Sequence, residues 1–132
     1  MAFAIDRIDH FVLNCRDVEA MAAWYGGVLG MRRDGFAPGR MALAFGRQKI
    51  NLRPTGAANW ITGDVDAPGS ADFCLITKLE PKATLARLAE HGVAVLSGPE
   101  EKTGALGPMI SIYCRDPDGN LVEIAHYPAE AI

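Results

Sequence analysis

The strongest local signal in the chain lies near its end, in the stretch Arg115-Asp116-Pro117-Asp118-Gly119-Asn120-Leu121-Val122-Glu123-Ile124. Pro-Asp-Gly-Asn is strong turn chemistry, because proline presets φ and both glycine and asparagine tolerate positive φ. Apolar residues alternate on either side of the turn, so the stretch predicts a hairpin joining two strands. In the outgoing strand Glu123 is a lone carboxylate among apolar residues. Such a group needs a cation, hydrogen-bond donors or water.

Composition limits the classes of protein to consider. A chain of 132 residues suits one compact domain or two very small halves, and a hydrophobic fraction of 49% allows a core. The net charge of −3 without a basic block argues against nucleic acid as a partner. No apolar run is long enough to cross a membrane, and the N-terminus lacks a signal-peptide pattern. We therefore expect a cytoplasmic protein that does not bind membranes.

The three cysteines lie far apart, each among strand-like residues, and their number is odd: Cys15, Cys74 and Cys114. We predict that they are small core residues in a reducing compartment rather than disulfide partners or nucleophiles.

The pattern of apolar residues predicts the same order of elements twice. The first half predicts a strand at 5–15, a helix from its cap Asp17 to Leu29 with Gly30 after it, and strands at 31–36, 40–46 and 48–54. The second half predicts a strand at 71–77, a helix at 80–91, and strands at 93–96, 109–115 and 120–126. Residues 55–70, which include Trp60, form either a linker or a lid, and residues 98–108 form a second glycine-rich loop.

The spacing supports an internal repeat. An offset of 62 residues aligns His10 with Asp72 and Gly30 with Gly92, and a larger offset aligns Asn51 with Glu123. We therefore predict an α+β fold of two βαβββ modules, residues 1–56 and 70–132, joined by a loop at 57–69. One continuous parallel sheet would contradict this prediction.

The chain resembles the vicinal oxygen chelate superfamily. The resemblance rests on Ile8-Asp9-His10-Phe11, the helix ending Trp24-Tyr25…Leu29-Gly30, and the ending Asp116-Pro117-Asp118-Gly119-Asn120-Leu121-Val122-Glu123. This superfamily includes glyoxalase I, fosfomycin-resistance proteins, extradiol dioxygenases, methylmalonyl-CoA epimerase and bleomycin-binding proteins. The resemblance implies that each module curls its sheet into a half-open cup of mixed β-sheet, and that a divalent metal binds where the first and last strands of the modules meet.

The resemblance also implies four metal-ligand positions. They are His10, Asn51, Asp72 and Glu123. His10 and Glu123 match the family pattern, whereas Asp72 stands where many members have histidine, and Asn51 where some have Glu, Gln or no ligand. These departures argue against a glyoxalase site and against the two-His, one-carboxylate iron site of the dioxygenases. Two carboxylates and an imidazole suit Mn, Fe, Ni or Zn.

Strand alternation predicts which side chains line the cup. We call the sheet face opposite the helices the cup face, and expect the other face to be apolar. The polar residues predicted on the cup face are His10, Asn14, Lys49, Asn51, Arg53, Asp72, Tyr113, Arg115 and Glu123. A core does not need so many polar groups, each costly to bury unpaired, but a site does. We expect Lys49, Arg53, Arg115 and Asn14 to bind an anionic substrate, with Glu123 as a base and Tyr113 as a proton donor.

Two functions of different class follow. The first is a divalent-metal-dependent enzyme acting on a small, anionic substrate with vicinal oxygens, in which His10 and Glu123 lie within reach of one ion. The second is a metal-free small-molecule binding protein like the drug-sequestering members, in which His10 and Glu123 are hydrogen-bonding residues. Apart from these functions, His10 could be only a hydrogen-bonded strand residue, and Glu123 a structural partner of Arg53 or Arg115. Few aromatic residues are predicted to point into the cup, which favours the enzyme. We also predict a homodimer, because each sheet leaves edges and apolar surface to cover. The sequence does not determine whether the ligands come from one chain or from two.

Overall fold

The computed structural model describes residues 2–128. The chain divides into two compact units, Met1–Pro68 and Gly69–Ile132. Each unit holds one four-stranded mixed sheet and one helix, in the order strand, helix, three strands. The expected α+β fold of two βαβββ modules is therefore confirmed.

The elements of the first unit are β1 (His10–Cys15), α1 (Val18–Leu29), β2 (Arg32–Ala37), β3 (Arg40–Phe45) and β4 (Gln48–Pro54). Those of the second are β5 (Asp72–Ile76), α2 (Pro81–Glu90), β6 (Ser97–Gly104), β7 (Gly107–Arg115) and β8 (Leu121–His126). The strand orders are β1-β4-β3-β2 and β5-β8-β7-β6. In each sheet the first strand pairs in parallel with the last, and the remaining pairs are antiparallel.

The helix ends follow their local chemistry. Asp17 caps α1 by accepting a hydrogen bond from the Ala20 N–H at 3.1 Å, which satisfies one of the unpaired donors of the first turn. Gly30 ends the helix in the left-handed region, at φ 71°, where a side chain would be strained. Pro81 begins α2, where its missing N–H costs no helical hydrogen bond.

The turn between β7 and β8 is built around the carboxylate of Asp116. This carboxylate accepts from the backbone N–H groups of Asp118 and Asn120, both at 3.0 Å, and from the Asn120 side-chain amide at 2.7 Å. The Asn120 side-chain oxygen in turn accepts from the Ala71 N–H at 2.9 Å. The turn therefore also holds the chain just before β5, and its three buried polar side chains have a structural role. The hairpin predicted from Pro-Asp-Gly-Asn is confirmed.

Each unit has its own apolar core between helix and sheet. In the first unit the fully buried side chains include Leu13, Met21, Tyr25, Leu43, Ile50 and Leu52. In the second they include Leu88, Ile112, Cys114 and Val122. These strand residues alternate with the predicted cup-face positions, as the period of two requires. In the part of the chain that the structure describes, no helix is long and apolar enough to cross a membrane.

The sequence misplaced one strand of the second unit. The pattern predicted a strand at 93–96 and a loop at 98–108, but residues 93–96 are not a strand. Instead β6 runs from Ser97 to Gly104, so all but its first residue fall in the predicted loop. Its sequence, SGPEEKTG, lacks the alternation of a half-buried strand. As the outer strand of its sheet, β6 gains its hydrogen bonds from β7 and needs no apolar face of its own.

The first strand is shorter than predicted. The pattern indicated residues 5–15, but β1 begins only at His10. Parallel pairing starts at His10 opposite Lys49, close to the start of β4 at Gln48, so residues before His10 have no β4 residues to pair with. Residues 2–9 are exposed instead, including the apolar side chains of Phe3, Ile5 and Ile8.

Candidate functional site

In each unit the two predicted ligand positions lie on the two parallel strands of the sheet. In the first unit Val12 lies opposite Asn51, which places Asn51 two residues out of register with His10. In the second unit Cys74 lies opposite Glu123, so that Glu123 and Asp72 have the same offset. The pairing thus gives His10 and Asp72 equivalent places, and likewise Asn51 and Glu123. Each pair shares one sheet face, with Cα atoms roughly 8 Å apart by strand geometry.

His10 is held by its sequence neighbour. Its Nδ1 lies 2.8 Å from the carboxylate of Asp9, and this hydrogen bond lowers the pKa of Asp9 below its usual value. Orientation of one imidazole nitrogen by a carboxylate is typical of metal-binding histidines, because it fixes the tautomer and leaves Nε2 as the acceptor. The side chain is half exposed, at 44%. His10 is therefore accessible to a ligand.

Asn51 carries a buried oxygen without a partner. The residue is 6% exposed, and its side-chain Oδ1 has no hydrogen bond to any residue from 2 to 128. Buried polar atoms almost always have a partner, so this acceptor has room for a cation, a water molecule or a hydrogen-bond donor of a ligand.

Arg53 is the most heavily hydrogen-bonded side chain of the first unit. Its guanidinium donates to the carboxylate of Asp66 at 2.7 Å and to the side-chain oxygen of Asn14 at 2.8 Å. It also donates to the backbone oxygens of Ala57 at 2.9 Å and Trp60 at 3.2 Å. At 5% exposure, Arg53 thus closes the segment 55–68 onto the end of β4. The hydrogen bond from Arg53 is the main reason why the pKa of Asp66 lies below its usual value.

Two aromatic rings and two cations lie next to this segment. The guanidinium of Arg40 lies 4.1 Å from the centre of the Trp60 ring, and the Lys49 ammonium lies 3.9 Å from that of Phe36. The two rings meet edge to face, with centroids 6.4 Å apart. The rings therefore shield the cations on one side and leave flat apolar surface beside them.

Glu123 is surrounded by neutral hydrogen-bond donors. The Ser111 hydroxyl donates to its carboxylate at 2.6 Å, and Ser111 itself is fully buried. Cys74 on β5 and Tyr113 on β7 lie directly opposite Glu123 in the strand pairing, which places a thiol and a phenol beside its carboxylate. Within residues 2–128 the carboxylate has no ion pair. Its charge is thus stabilised only by neutral groups.

The surroundings of Glu123 keep its neighbours protonated. Burial, followed by the negative charge of Glu123, raises the pKa of Tyr113 to about 12. The same two causes, in the same order, raise the pKa of Cys74 to about 11. At neutral pH both groups are therefore proton donors, and neither is a nucleophile or a base.

The other predicted site residues have simpler surroundings. The Asp72 side chain is exposed and forms no ion pair or hydrogen bond that involves the described chain. Arg115 is exposed and donates to the backbone oxygen of Gly119 in its own turn, so it is not the partner of Glu123. The side-chain oxygen of Asn14 accepts a hydrogen bond from Arg53, and its amide nitrogen donates one to the Thr62 hydroxyl.

Sequence reasoning missed two members of the Glu123 cluster. Ser111 was given no role, although its alternation with Tyr113 indicates the cup face. Cys74 was expected in the core, which is wrong, because it is exposed and faces Glu123. Alternation with Asp72 already placed Cys74 on the cup face, but cysteine is so often buried that this position was overlooked. Cys15 and Cys114 are buried as predicted, and none of the three cysteines forms a disulfide within residues 2–128.

No group of three or more His, Cys, Asp or Glu side chains gathers within metal-binding distance among residues 2–128. His10 and Asn51 belong to the first unit, and Asp72 and Glu123 to the second. That His10 and Glu123 share one ion stays a prediction.

Comparison with known proteins identifies relatives along nearly the whole chain. Residues 7–124 match the family model described as the glyoxalase/bleomycin resistance protein/dioxygenase superfamily. The virulence protein STM3117 of Salmonella typhimurium is 43% identical over 93% of this chain and 85% of that protein. Its crystal structure matches with a TM-score of 0.92, covering 95% of this chain and 99% of that one. The glyoxalase domain-containing protein RDO1 of Mycosarcoma maydis is 41% identical over 94% of this chain and 70% of that protein.

More distant solved structures share the fold. TnmS3, an antibiotic-binding protein from Streptomyces sp. CB03234, matches with a TM-score of 0.73 at 26% identity, covering 95% of this chain and 98% of that one. Lactoylglutathione lyase of Agrobacterium tumefaciens matches with a TM-score of 0.72 at 23% identity, over 92% and 94% of the two chains. At that identity the likeness to the lyase concerns the fold alone.

Proposed function

Because the chain belongs to the glyoxalase/bleomycin resistance protein/dioxygenase superfamily, we propose that it is a divalent-metal-dependent enzyme. Its substrate would be a small anionic molecule with neighbouring oxygen atoms. The proposed ligands of the ion are His10, Asp72 and Glu123, with Asn51 as a weaker fourth. The proposed metals are Mn, Fe, Ni and Zn, which accept this mixture of imidazole and carboxylate donors.

The observation that carries the proposal is the side-chain oxygen of Asn51, which is buried and has no partner in the described part of the chain. The surroundings of the other three residues fit the same reading. Asp9 leaves the Nε2 of His10 as the acceptor, Asp72 is exposed, and Glu123 accepts only from neutral donors. All four positions thus offer electron pairs that no cation of the described chain neutralises.

The chemistry divides between the ion and the protein. A bound divalent ion supplies Lewis acidity towards neighbouring substrate oxygens. Tyr113, with its pKa raised to about 12, holds its proton at neutral pH and would donate a hydrogen bond to an oxyanion rather than remove a proton. Glu123 is the candidate base, because it is the carboxylate that lies directly opposite Tyr113 in the strand pairing.

The proposed contacts to the anionic substrate are those of Lys49, Arg115 and Asn14, with Arg53 as the fourth residue of this set. The hydrogen bonds of Arg53 give it a second role, since they hold the segment 55–68, which carries Trp60, at the end of β4. The Trp60 ring in turn meets the ring of Phe36. Arg53 would therefore contribute to substrate binding mainly indirectly, by positioning the segment 55–68.

Metal binding tests the proposal. Elemental analysis of untagged protein, with and without added Mn, Fe, Ni and Zn, should give a bound divalent metal. Glu123→Gln and His10→Ala should each keep the fold and weaken calorimetric metal affinity by about tenfold or more, because each removes a strong donor. Glu100→Gln on β6 is the matched control and should bind metal like the parent protein. If Glu123→Gln binds metal as tightly as the parent, the proposal is wrong.

A second candidate function is metal-free binding of a small molecule, and one observation favours it. Phe36 and Trp60 offer adjoining aromatic surfaces in the first unit, with ring centroids 6.4 Å apart. TnmS3, a relative in fold, binds an antibiotic. This function requires that a flat aromatic compound bind equally well after treatment with a chelator, and that Trp60→Ala abolish the binding.

We also propose a homodimer. Phe3, Ile5 and Ile8 lie 90%, 77% and 71% exposed, close together in the sequence and outside any strand. Three large apolar side chains so exposed indicate a surface that a partner covers, and a second copy is the partner that the sequence predicted. Sedimentation equilibrium should give a dimer, and Phe3→Ser with Ile5→Ser should shift it to the monomer. A monomeric parent protein at micromolar concentration would contradict the proposal.

A further inference from the structure

From the first unit we infer a binding site for a small oxyanion, a carboxylate or a phosphate group, in the cavity at the β3–β4 turn. This cavity has a volume of about 320 Å³, at the small end of the range of ligand pockets. Its charged lining residues are Arg32, Arg47, Lys49, Asp9 and Asp34.

Strand register explains why a cavity forms here. Lys49 on β4 and Arg32 on β2 both lie opposite Ala44 on β3, so the three side chains stand in one row on the same sheet face. Neighbouring strands are about 4.8 Å apart, so the two cations rise from strands roughly 10 Å apart with only an alanine methyl between them. The alanine methyl therefore forms a small floor, and the long basic side chains of Lys49 and Arg32 form the two walls. A group of a few atoms fits between them.

The cations are available to a ligand. The side chains of Arg32 and Arg47 make no hydrogen bond or ion pair with any other residue in the range 2–128. Lys49 contacts the face of Phe36, which leaves its remaining N–H donors for a second partner. Arg33, the next residue along β2, differs in this respect, because it pairs with Glu19 of α1 at 2.8 Å on the helix side of the sheet.

The two carboxylates of the cavity do not cancel these charges. Asp9 is engaged with Nδ1 of His10 at 2.8 Å. Asp34 stands in the adjoining row, opposite Ala42, and forms no ion pair of its own in the described structure. Three cations against two carboxylates leave a net positive cavity in a chain whose overall charge is −3. An oxyanion is the ligand that this charge and these planar guanidinium donors suit.

The cavity also adjoins the residue pair at the start of β1. Asp9 lines it, and the carboxylate of Asp9 holds His10. As the place of the substrate's anionic group, the cavity rests on the proposed function. As an anion site, it stands on the geometry of the first unit alone. The inference adds Arg32 and Arg47 to the residues that recognise the substrate.

Phosphate and acetate titrations of metal-free protein test the inference. At constant ionic strength, the backbone amide signals of Ala44 and Lys49 should shift saturably in nuclear magnetic resonance spectra with inorganic phosphate or with acetate. Arg32→Gln combined with Arg47→Gln should weaken this binding by about tenfold or more, because hydrogen bonds between charged groups are lost. Both residues are exposed, so the fold and the melting temperature should be unchanged.

Arg33→Gln is the matched control, because it removes the same charge one residue away on the other face of the sheet. It should change the dissociation constant by less than about twofold, as expected for a charge outside the cavity. The inference is overturned if neither anion gives a saturable shift, or if Arg33→Gln weakens binding as much as the double variant. Because the titrations use metal-free protein, their outcome does not depend on metal binding, so the anion site and the proposed metal site can be rejected separately.

Discussion

The two units share one topology but surround their cup-face charges in opposite ways. In the first, the buried cation Arg53 pairs with the carboxylate of Asp66 and closes a chain segment. In the second, the carboxylate of Glu123 accepts from a hydroxyl group and lies opposite a thiol and a phenol, all neutral. One charge is therefore neutralised within its unit and the other is not. The comparison indicates that Arg53 serves the fold, whereas Glu123 is free to serve a ligand.

Removing Arg53 is expected to have the largest effect. Arg53→Met should lower the free energy of unfolding by about 3 kcal/mol, because it leaves buried acceptors and a carboxylate without their partner. Urea unfolding followed by tryptophan fluorescence measures this, since Trp24 and Trp60 both belong to the first unit.

Arg115→Met is the matched control in the second unit, where the exposed guanidinium contacts one carbonyl of its own turn. It should change the free energy of unfolding by less than about 0.5 kcal/mol. Far-ultraviolet circular dichroism, which reports on both units, measures the two variants in the same way. If Arg53→Met and Arg115→Met lower the free energy of unfolding equally, the proposed distinction between a structural arginine and a free one is wrong.

Acid should affect the first unit through Asp66. Its pKa in the folded protein lies below the unfolded value, so its stabilising contribution is complete above about pH 4 and is lost as the pH falls through the folded pKa. Segment 55–68 should then loosen from β4 below about pH 4. In a Trp24→Phe background, Trp60 fluorescence should show this transition, and Asp66→Asn should abolish it. A transition that persists in Asp66→Asn would have another cause.

Cysteine labelling should give the smallest effect and probes the second unit. Cys74 is the exposed cysteine, and its pKa of about 11 makes alkylation slow. Glu123→Gln removes a neighbouring negative charge, so the pKa of Cys74 should fall while burial keeps it above its usual value. Alkylation by iodoacetamide at pH 9 should then be severalfold faster, as measured by mass spectrometry.

Glu100→Gln is the control for this measurement. The negative charge of Glu100 contributes to the raised pKa of Tyr113 but is not among the causes of the raised pKa of Cys74. It should leave the labelling rate unchanged. A rate that does not change in Glu123→Gln would mean that burial alone controls the thiol.

The sequence by itself determined the elements whose signals are local. Asp17, Gly30 and Pro81 mark helix ends because capping and φ preferences act within a few residues. The turn at Asp116 was predictable for the same reason, and strand alternation placed Asn51 and Glu123 on one kind of face. The repeated order of these elements then predicted two βαβββ modules. The start of β1 and the position of β6 were not predictable, because both depend on where a neighbouring strand offers hydrogen bonds.

Only the tertiary structure decided which polar side chains already have partners. Alternation predicted the same sheet face for Arg53 and Lys49. In the structure, however, the guanidinium of Arg53 donates to the Asp66 carboxylate and to two backbone carbonyls, whereas Lys49 lines a cavity. Likewise, strand alternation could not show that the Ser111 hydroxyl donates to Glu123. Nor could it show that the side-chain oxygen of Asn51 has no partner within residues 2–128. The period of two in a strand predicts the sheet face on which a side chain lies. It does not predict which other residue contacts that side chain in the folded protein. Partners distant in sequence, such as Asn14 for Arg53, are brought together only when the sheet forms.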